Sequence, residues 1–198
     1  MKRFFLGLSF LAASMTAVNA QDFKLGLHAG IDASNLRLSN ISSGPLHYKS
    51  GLVGGISLEA KLGPVLSLQL EGNYSRQGAS VISDAAGTNA LSYNLDYVTI
   101  PLLLKMNAVK GLNFYFGPQV GLLLHAETKQ IGTPDIDVKE LFKSTAYYAV
   151  FGTGYQFASG VSVGVRYNFG VNSLLKEAQT GDIKSHYYNF RLGYSFSL

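Results

Sequence analysis

Three observations predict an all-β chain, an eight-stranded antiparallel up-and-down transmembrane β-barrel. Apolar residues recur at every second position along eight segments. Three of the seven connections between those segments are three-residue turns ending in glycine, and the other four are long and polar. Short turns on one side and long loops on the other are the arrangement expected of a barrel that crosses an outer membrane.

Residues 1–20 stand apart from this pattern. Lys2 and Arg3 precede an apolar run from Phe4 to Ala13, and Val18-Asn19-Ala20 before Gln21 is a small-x-small cleavage pattern. The run is shorter than the ~20 residues of a spanning helix. It reads as an export signal, which leaves 21–198 as one barrel domain. Of 16 basic residues, removing Lys2 and Arg3 leaves 14 against 12 acidic ones. That small excess, without basic clusters, argues against a nucleic-acid partner. The chain has no cysteine, so neither disulfides nor thiolate metal sites are available to it.

The first strand is expected over 23–33, where Phe23, Leu25, Leu27, Ala29 and Ile31 alternate with Lys24, Gly26, His28, Gly30 and Asp32. The second, 50–60, alternates Leu52, Ile56, Leu58 and Ala60 with Val53, Ser57 and Glu59. The third, 64–77, sets Leu66, Leu68, Leu70 and Tyr74 against Ser67, Gln69, Glu71, Asn73 and Ser75. The fourth, 92–108, holds the run Tyr97-Val98-Thr99-Ile100-Pro101-Leu102-Leu103-Leu104-Lys105. Val98, Ile100, Leu102, Leu104 and Met106 are expected on its apolar face, and Pro101, which cannot donate to a ladder, predicts a local break or bulge. The fifth, 112–125, brings Pro118 diagonally next to Pro101, and one shared kink in the sheet is expected there. The sixth and seventh, 144–157 and 161–172, alternate through Phe151, Tyr155 and Phe157 and through Val163, Val165 and Phe169; the eighth, 186–198, ends Tyr194-Ser195-Phe196-Ser197-Leu198. Keeping the faces in register pairs Ala60 with Pro64, Ala108 with Leu112 and Phe157 with Val161, around Lys61-Leu62-Gly63, Val109-Lys110-Gly111 and Ala158-Ser159-Gly160. The long loops fall near 34–49, 78–91, 126–143 and 173–185.

The second face decides between a soluble barrel and a membrane one. It carries few charges and many glycines, which is thin for a solvated surface but suits the crowded interior of an eight-stranded barrel. Tyr155, Phe157, Tyr194 and Phe196 lie at the short-turn ends of their strands, where an interfacial aromatic girdle belongs. The apolar face is therefore expected to meet lipid, which makes the bilayer the first partner.

Counting up from the short turns puts Glu71, Arg166 and Arg191 near mid-height in the lumen and Lys24, Glu59 and Lys105 near its periplasmic end. Buried charges must be paired, so Glu71, Arg166 and Arg191 are expected to form an ionic plug. No catalytic, cofactor or metal site is expected. The histidines at 28, 47, 125 and 186 have no ligand spacing, with His28 read as facing the lumen and His125 as lying near the outer rim. Asp135, Asp137 and Glu140 lack the order of a calcium loop and read as a solvated, briefly helical segment.

The runs Tyr97–Lys105, Gly152-Thr153-Gly154-Tyr155-Gln156-Phe157 and Asn189-Phe190-Arg191-Leu192-Gly193-Tyr194-Ser195-Phe196 resemble the small PorT-like outer-membrane β-barrel proteins of bacteroidete envelopes. The resemblance covers the whole of 21–198 and rests on short motifs that mostly encode barrel-making. It implies an eight-stranded barrel in the cell outer membrane, delivered by an assembly machinery that reads the last strand, here Tyr194, Phe196 and Leu198, with the usual terminal aromatic displaced by two places. Some relatives serve a secretion apparatus, and nothing in this chain singles that role out. The expected role is structural or interactive within the envelope, as a monomer or as part of a secretion or assembly complex. Two other readings stay open: a narrow channel for small or hydrophobic solutes, and a lipid-modifying barrel enzyme with His125 as its first candidate residue.

Overall fold

A computed structural model describes residues 23–39, 46–82, 90–108, 111–130, 134–176 and 182–197. The export signal read at 1–20 and the terminal Leu198 lie outside these residues. The eight long strands are β1 (Phe23–Ser39), β2 (Leu46–Lys61), β3 (Leu66–Ile82), β4 (Ala90–Asn107), β5 (Leu112–Gln130), β7 (Thr145–Gln156), β8 (Val161–Gly170) and β9 (Asp182–Ser197). A two-residue β6 (Ile136–Asp137) and a single 3₁₀ turn (Lys139–Leu141) sit between β5 and β7.

Each long strand pairs antiparallel with its neighbours in sequence, and β1 pairs with β9 from Lys24↔Ser197 to Ser39↔Asp182, which closes the sheet into a barrel. Closure leaves no free ladder edge within a bilayer, the condition that lets strands cross hydrocarbon. Among the described residues no helix is long and apolar enough to cross. The apolar phase points outward on every wall: Leu27, Ile56, Leu70, Ile100, Phe116, Phe151, Val163 and Phe190 all stand exposed, and Leu52 reaches 71 %. In water such a surface would be unstable. In lipid each such side chain contributes ~1.5–3 kcal/mol.

β8, at ten residues, matches the ~9–11 residues that a tilted strand needs to cross. β1 to β5 and β9 run for 16 to 19 residues and so project past the bilayer on the long-loop side. These six strands are therefore longer than the periodicity predicts, because pairing in the rim continues after the need for an apolar outer face has ended, whereas β7 and β8 stop one or two residues short of the expected 157 and 172.

Two of the three short turns form as expected. Ala108 N donates to Leu112 O at 2.7 Å and Phe157 N to Val161 O at 2.8 Å, and Gly111 and Gly160 close these turns at φ +88° and +92°. The third does not. Ala60 pairs with Leu68, and Leu62 N donates to Leu66 O at 2.8 Å, so the turn is Gly63-Pro64-Val65. Pro64 has no N–H for the ladder and fits the corner instead. The slip is four residues, an even number, so every side chain keeps its face.

The left-handed turns set a stability contrast. A Cβ at Gly111 would overlap the carbonyl oxygen of Gln156, and one at Gly160 would lie 2.9 Å from Ser195 O, whereas nothing lies within 4 Å of one at Gly63. Gly111→Ala and Gly160→Ala are expected to lower unfolding stability by ~1–2 kcal/mol each. Gly63→Ala is expected to stay within ~0.5 kcal/mol, all read from urea midpoints in bilayers.

The prolines break the ladder without a bulge. Pro101 faces Gln119, pairing lapses at Leu102 and Leu103, and it resumes in the same register at Leu104↔Phe116. The register shift between β4 and β5 falls higher, where Asp96 pairs with His125 and Tyr97 with Leu123. Losing one donor costs hydrogen bonds, but it does not require an inserted residue.

Candidate functional site

The lumen is the chemically dense part of the molecule. Period two aims Glu71 and its neighbours Gln69 and Asn73 inward from β3, Arg166 from β8, and Asn189 and Arg191 from β9. Arg166 grips Glu71 through both terminal guanidinium nitrogens, Nη2 to Oε1 at 2.8 Å and Nη1 to Oε2 at 2.9 Å. Arg191 Nη1 reaches Oε2 at 2.8 Å. Gln69 and Asn73 donate to the same carboxylate. His28 lies inward beside them, its Nε2 2.6 Å from Asn73 Oδ1 and 3.9 Å from Glu71. Arg166 also stacks over the Tyr115 ring with its guanidinium carbon 4.4 Å from the centroid. Room for it comes from Gly152, whose Cβ would stand 2.6 Å from Arg166 Cγ. A carboxylate shared by two guanidinium groups in a bidentate grip holds three strands at one level.

The structure brings Glu71, Arg166 and Arg191 together and places Lys24, Glu59 and Lys105 in a second group below them. Lys105 Nζ meets Glu59 Oε2 at 2.7 Å, both buried, and Lys24 lies across from Glu59 in the β1–β2 register. Above the ionic level Arg191 Nε donates to Asn189 Oδ1 at 2.6 Å, and Asn189 and Ser75 both donate to Asp32, which is fully buried.

Higher still the inward face turns apolar, which departs from the polar lumen expected. Leu36, Leu95, Tyr97, Leu123, Tyr148 and Tyr187 pack as a buried cluster across the barrel's upper end. Tyr148 and Tyr187 meet edge to face at 5.5 Å, Tyr148 OH donates to Gln77 Oε1 at 3.3 Å, and Tyr187 OH accepts from Gln119 Nε2 at 2.6 Å. Parts of two connections, 134–144 and 171–176, close over this cluster. Phe142 and Leu174 are buried in it, Phe142 bridges Leu175, and Lys143 N donates to Leu174 O at 2.6 Å. The Asp135–Glu140 segment is thus part strand and part 3₁₀ turn: Asp135 pairs with Lys129 at 2.7 Å and Asp137 Oδ1 accepts from Lys139 N at 2.8 Å. Among the described residues no group of three or more His, Cys, Asp or Glu is placed to hold a metal.

Sequence reasoning missed this upper plug, although a signal existed. Tyr148 and Tyr187 occupy the inward phase beside outward Tyr147 and Tyr188, so aromatic residues fill both phases there. Where alternation fails because both phases are apolar, a strand is buried on two sides.

Outside the lumen, Tyr155–Phe157 and Tyr194–Phe196 form edge-to-face pairs at 4.8 and 4.7 Å on the outer surface near the short turns. At the opposite border Arg76 pairs with Asp96 at 2.9 Å, marking where the apolar band ends. His125, exposed, sits in the adjoining bulge across from Asp96.

Comparison with solved structures supports the architecture. Ail, the attachment invasion locus protein of Yersinia pestis, in complex with the heparin analogue sucrose octasulfate, aligns with a TM-score of 0.53 at 12 % identity over 88 % of this chain and 99 % of its own. Neisserial surface protein A aligns with a TM-score of 0.53 at 14 % identity over 89 % and 97 %. At such identities the likeness is one of fold. No curated protein matches in sequence. A family model described as an outer membrane protein beta-barrel domain matches residues 19–176. Lipid-facing walls, a closed ladder and that match lead to one conclusion: the chain belongs to the outer membrane protein β-barrel domain family and resides in the cell outer membrane.

Proposed function

We propose that the protein works by contact rather than by passage, as a non-conducting envelope barrel with a structural or interaction role. The observation that carries this reading is the double obstruction of the lumen, the Glu71–Arg166–Arg191 level at mid-height and the Tyr148–Tyr187 cluster above it. An eight-stranded interior leaves side chains little space to step aside. The parts left free to act are the rim of overlong strands and the described connection segments 134–144 and 171–176.

Within this reading the contact includes a place in a secretion or assembly complex, a role that some PorT-like relatives hold and that nothing in this chain singles out. Tyr194 and Phe196, with Leu198 beyond them, serve as the signal read by the outer-membrane assembly machinery. The barrel is a monomer in the bilayer, and no reaction is assigned to it. Reconstituted in planar bilayers, the protein is expected to give no single-channel steps. Steady conductance would favour the narrow-channel reading and sink this one.

A further inference from the structure

Below the ionic level the lumen opens into two adjacent chambers on the short-turn side. The outer one, about 250 Å³, is bounded by the β2–β3 and β4–β5 turns, and the inner one, about 40 Å³, reaches Arg166 and Arg191. They share Lys24, Glu59 and Gln156 as common wall. The chambers are blind from the outside, because the ionic level and the apolar plug stand between them and the long loops.

Their charge is lopsided. Lys24, Lys61, Lys105, Arg166 and Arg191 line them, and Glu59 is the carboxylate in their walls. Glu59 is engaged by Lys105, and Glu71, behind the floor, is divided between the two guanidinium groups. Arg166, 3 % exposed, keeps its Nε without a protein acceptor, although buried donors are almost always satisfied. Low-dielectric walls lined by one sign of charge concentrate counter-ions. The outer chamber has room for a phosphate-sized ion with its water.

We propose that this vestibule is a binding site for a small oxyanion of the phosphate class, entering from the periplasm and held in the outer chamber by Lys24 and Lys61, with Arg166 and Arg191 adding positive potential from the inner chamber behind it. A bound anion neutralises the excess cations and adds a ligand-dependent stabilisation to the barrel. The site does not depend on whether the barrel conducts.

The test uses the full chain in detergent, with thermal unfolding followed against inorganic phosphate at constant ionic strength, chloride being the balancing ion. A saturable rise in midpoint with phosphate and none with chloride is expected. Lys24→Gln should weaken the apparent affinity about ten-fold, the loss of one charge-assisted contact. Lys61→Gln, at an exposed position outside the ionic network, should weaken it less and tests the mouth without disturbing the Lys105–Glu59 pair. Lys129→Gln, on the opposite rim, should leave it unchanged. Absence of a saturable rise, or one that both Lys24→Gln and Lys61→Gln leave intact, overturns the proposal.

Discussion

Glu71→Gln is expected to cost the barrel ~3–5 kcal/mol, because it leaves two buried guanidinium groups facing each other without their shared carboxylate. The two arginines do not contribute equally. Arg166 holds Glu71 with two nitrogens and is 3 % exposed, while Arg191 uses one and keeps Asn189 as a second partner. Arg191→Met should therefore cost less than Glu71→Gln, since the bidentate pair survives it. Replacing all three by apolar residues of similar volume, Glu71→Leu with Arg166→Met and Arg191→Met, should recover most of the loss, because no charge is then left unpaired. Urea unfolding in bilayers, followed by circular dichroism and heat-dependent gel mobility, gives the comparison. A Glu71→Gln barrel as stable as the parent would mean that the cluster holds nothing together.

The second large effect lies in the upper plug. Tyr148→Ala and Tyr187→Ala each remove a buried ring from an edge-to-face pair; Tyr187→Ala also takes the acceptor from Gln119 Nε2, whereas Gln77 keeps Ser185 and Ser75 when Tyr148 is lost. Each is expected to cost ~3–5 kcal/mol, the range for deleting a large buried aromatic. The loss should show locally as well. Phe142 and Leu174 rest on these rings, so amide exchange in 134–144 and 171–176 should speed up more than exchange in β2 or β3. Tyr→Phe at either site tests the hydroxyl alone and should cost ~1 kcal/mol. If exchange in those connections is unchanged by Tyr148→Ala, the connections are not held by the cluster.

The ionic level was legible in the sequence because strand geometry turns residue number into height. Once three tight turns are located, counting by twos puts Glu71, Arg166 and Arg191 on one face at comparable levels, and the cost of an unpaired charge does the rest. His28 was legible as lumen-facing for the same reason, though its bond to Asn73 was not, since that requires the β2–β3 register. That register is where the reading slipped. The glycine of Lys61-Leu62-Gly63 looked like the other two turn glycines, yet it is not left-handed, and Pro64 takes the corner. A local motif could not weigh the two residues against each other, because the choice depends on how many ladder bonds the rest of β3 keeps.

The upper plug was hidden for a different reason. An alternation rule assigns each phase one environment along the whole strand, but the lumen changes character with height. It is ionic where strands from all sides converge in the membrane, and apolar where the rim rises above it and the connections fold back as a cover. Period, polarity and turn spacing sufficed by themselves for the outward and inward faces, the number of strands and the membrane that surrounds them, because these follow from local geometry and from the medium each face must meet. Only the folded barrel decided which inward residues touch, where the ladder lapses at Pro101, and that Phe142 and Leu174 return to close the mouth, because those contacts join residues far apart in the chain and exist only once the sheet has closed on itself.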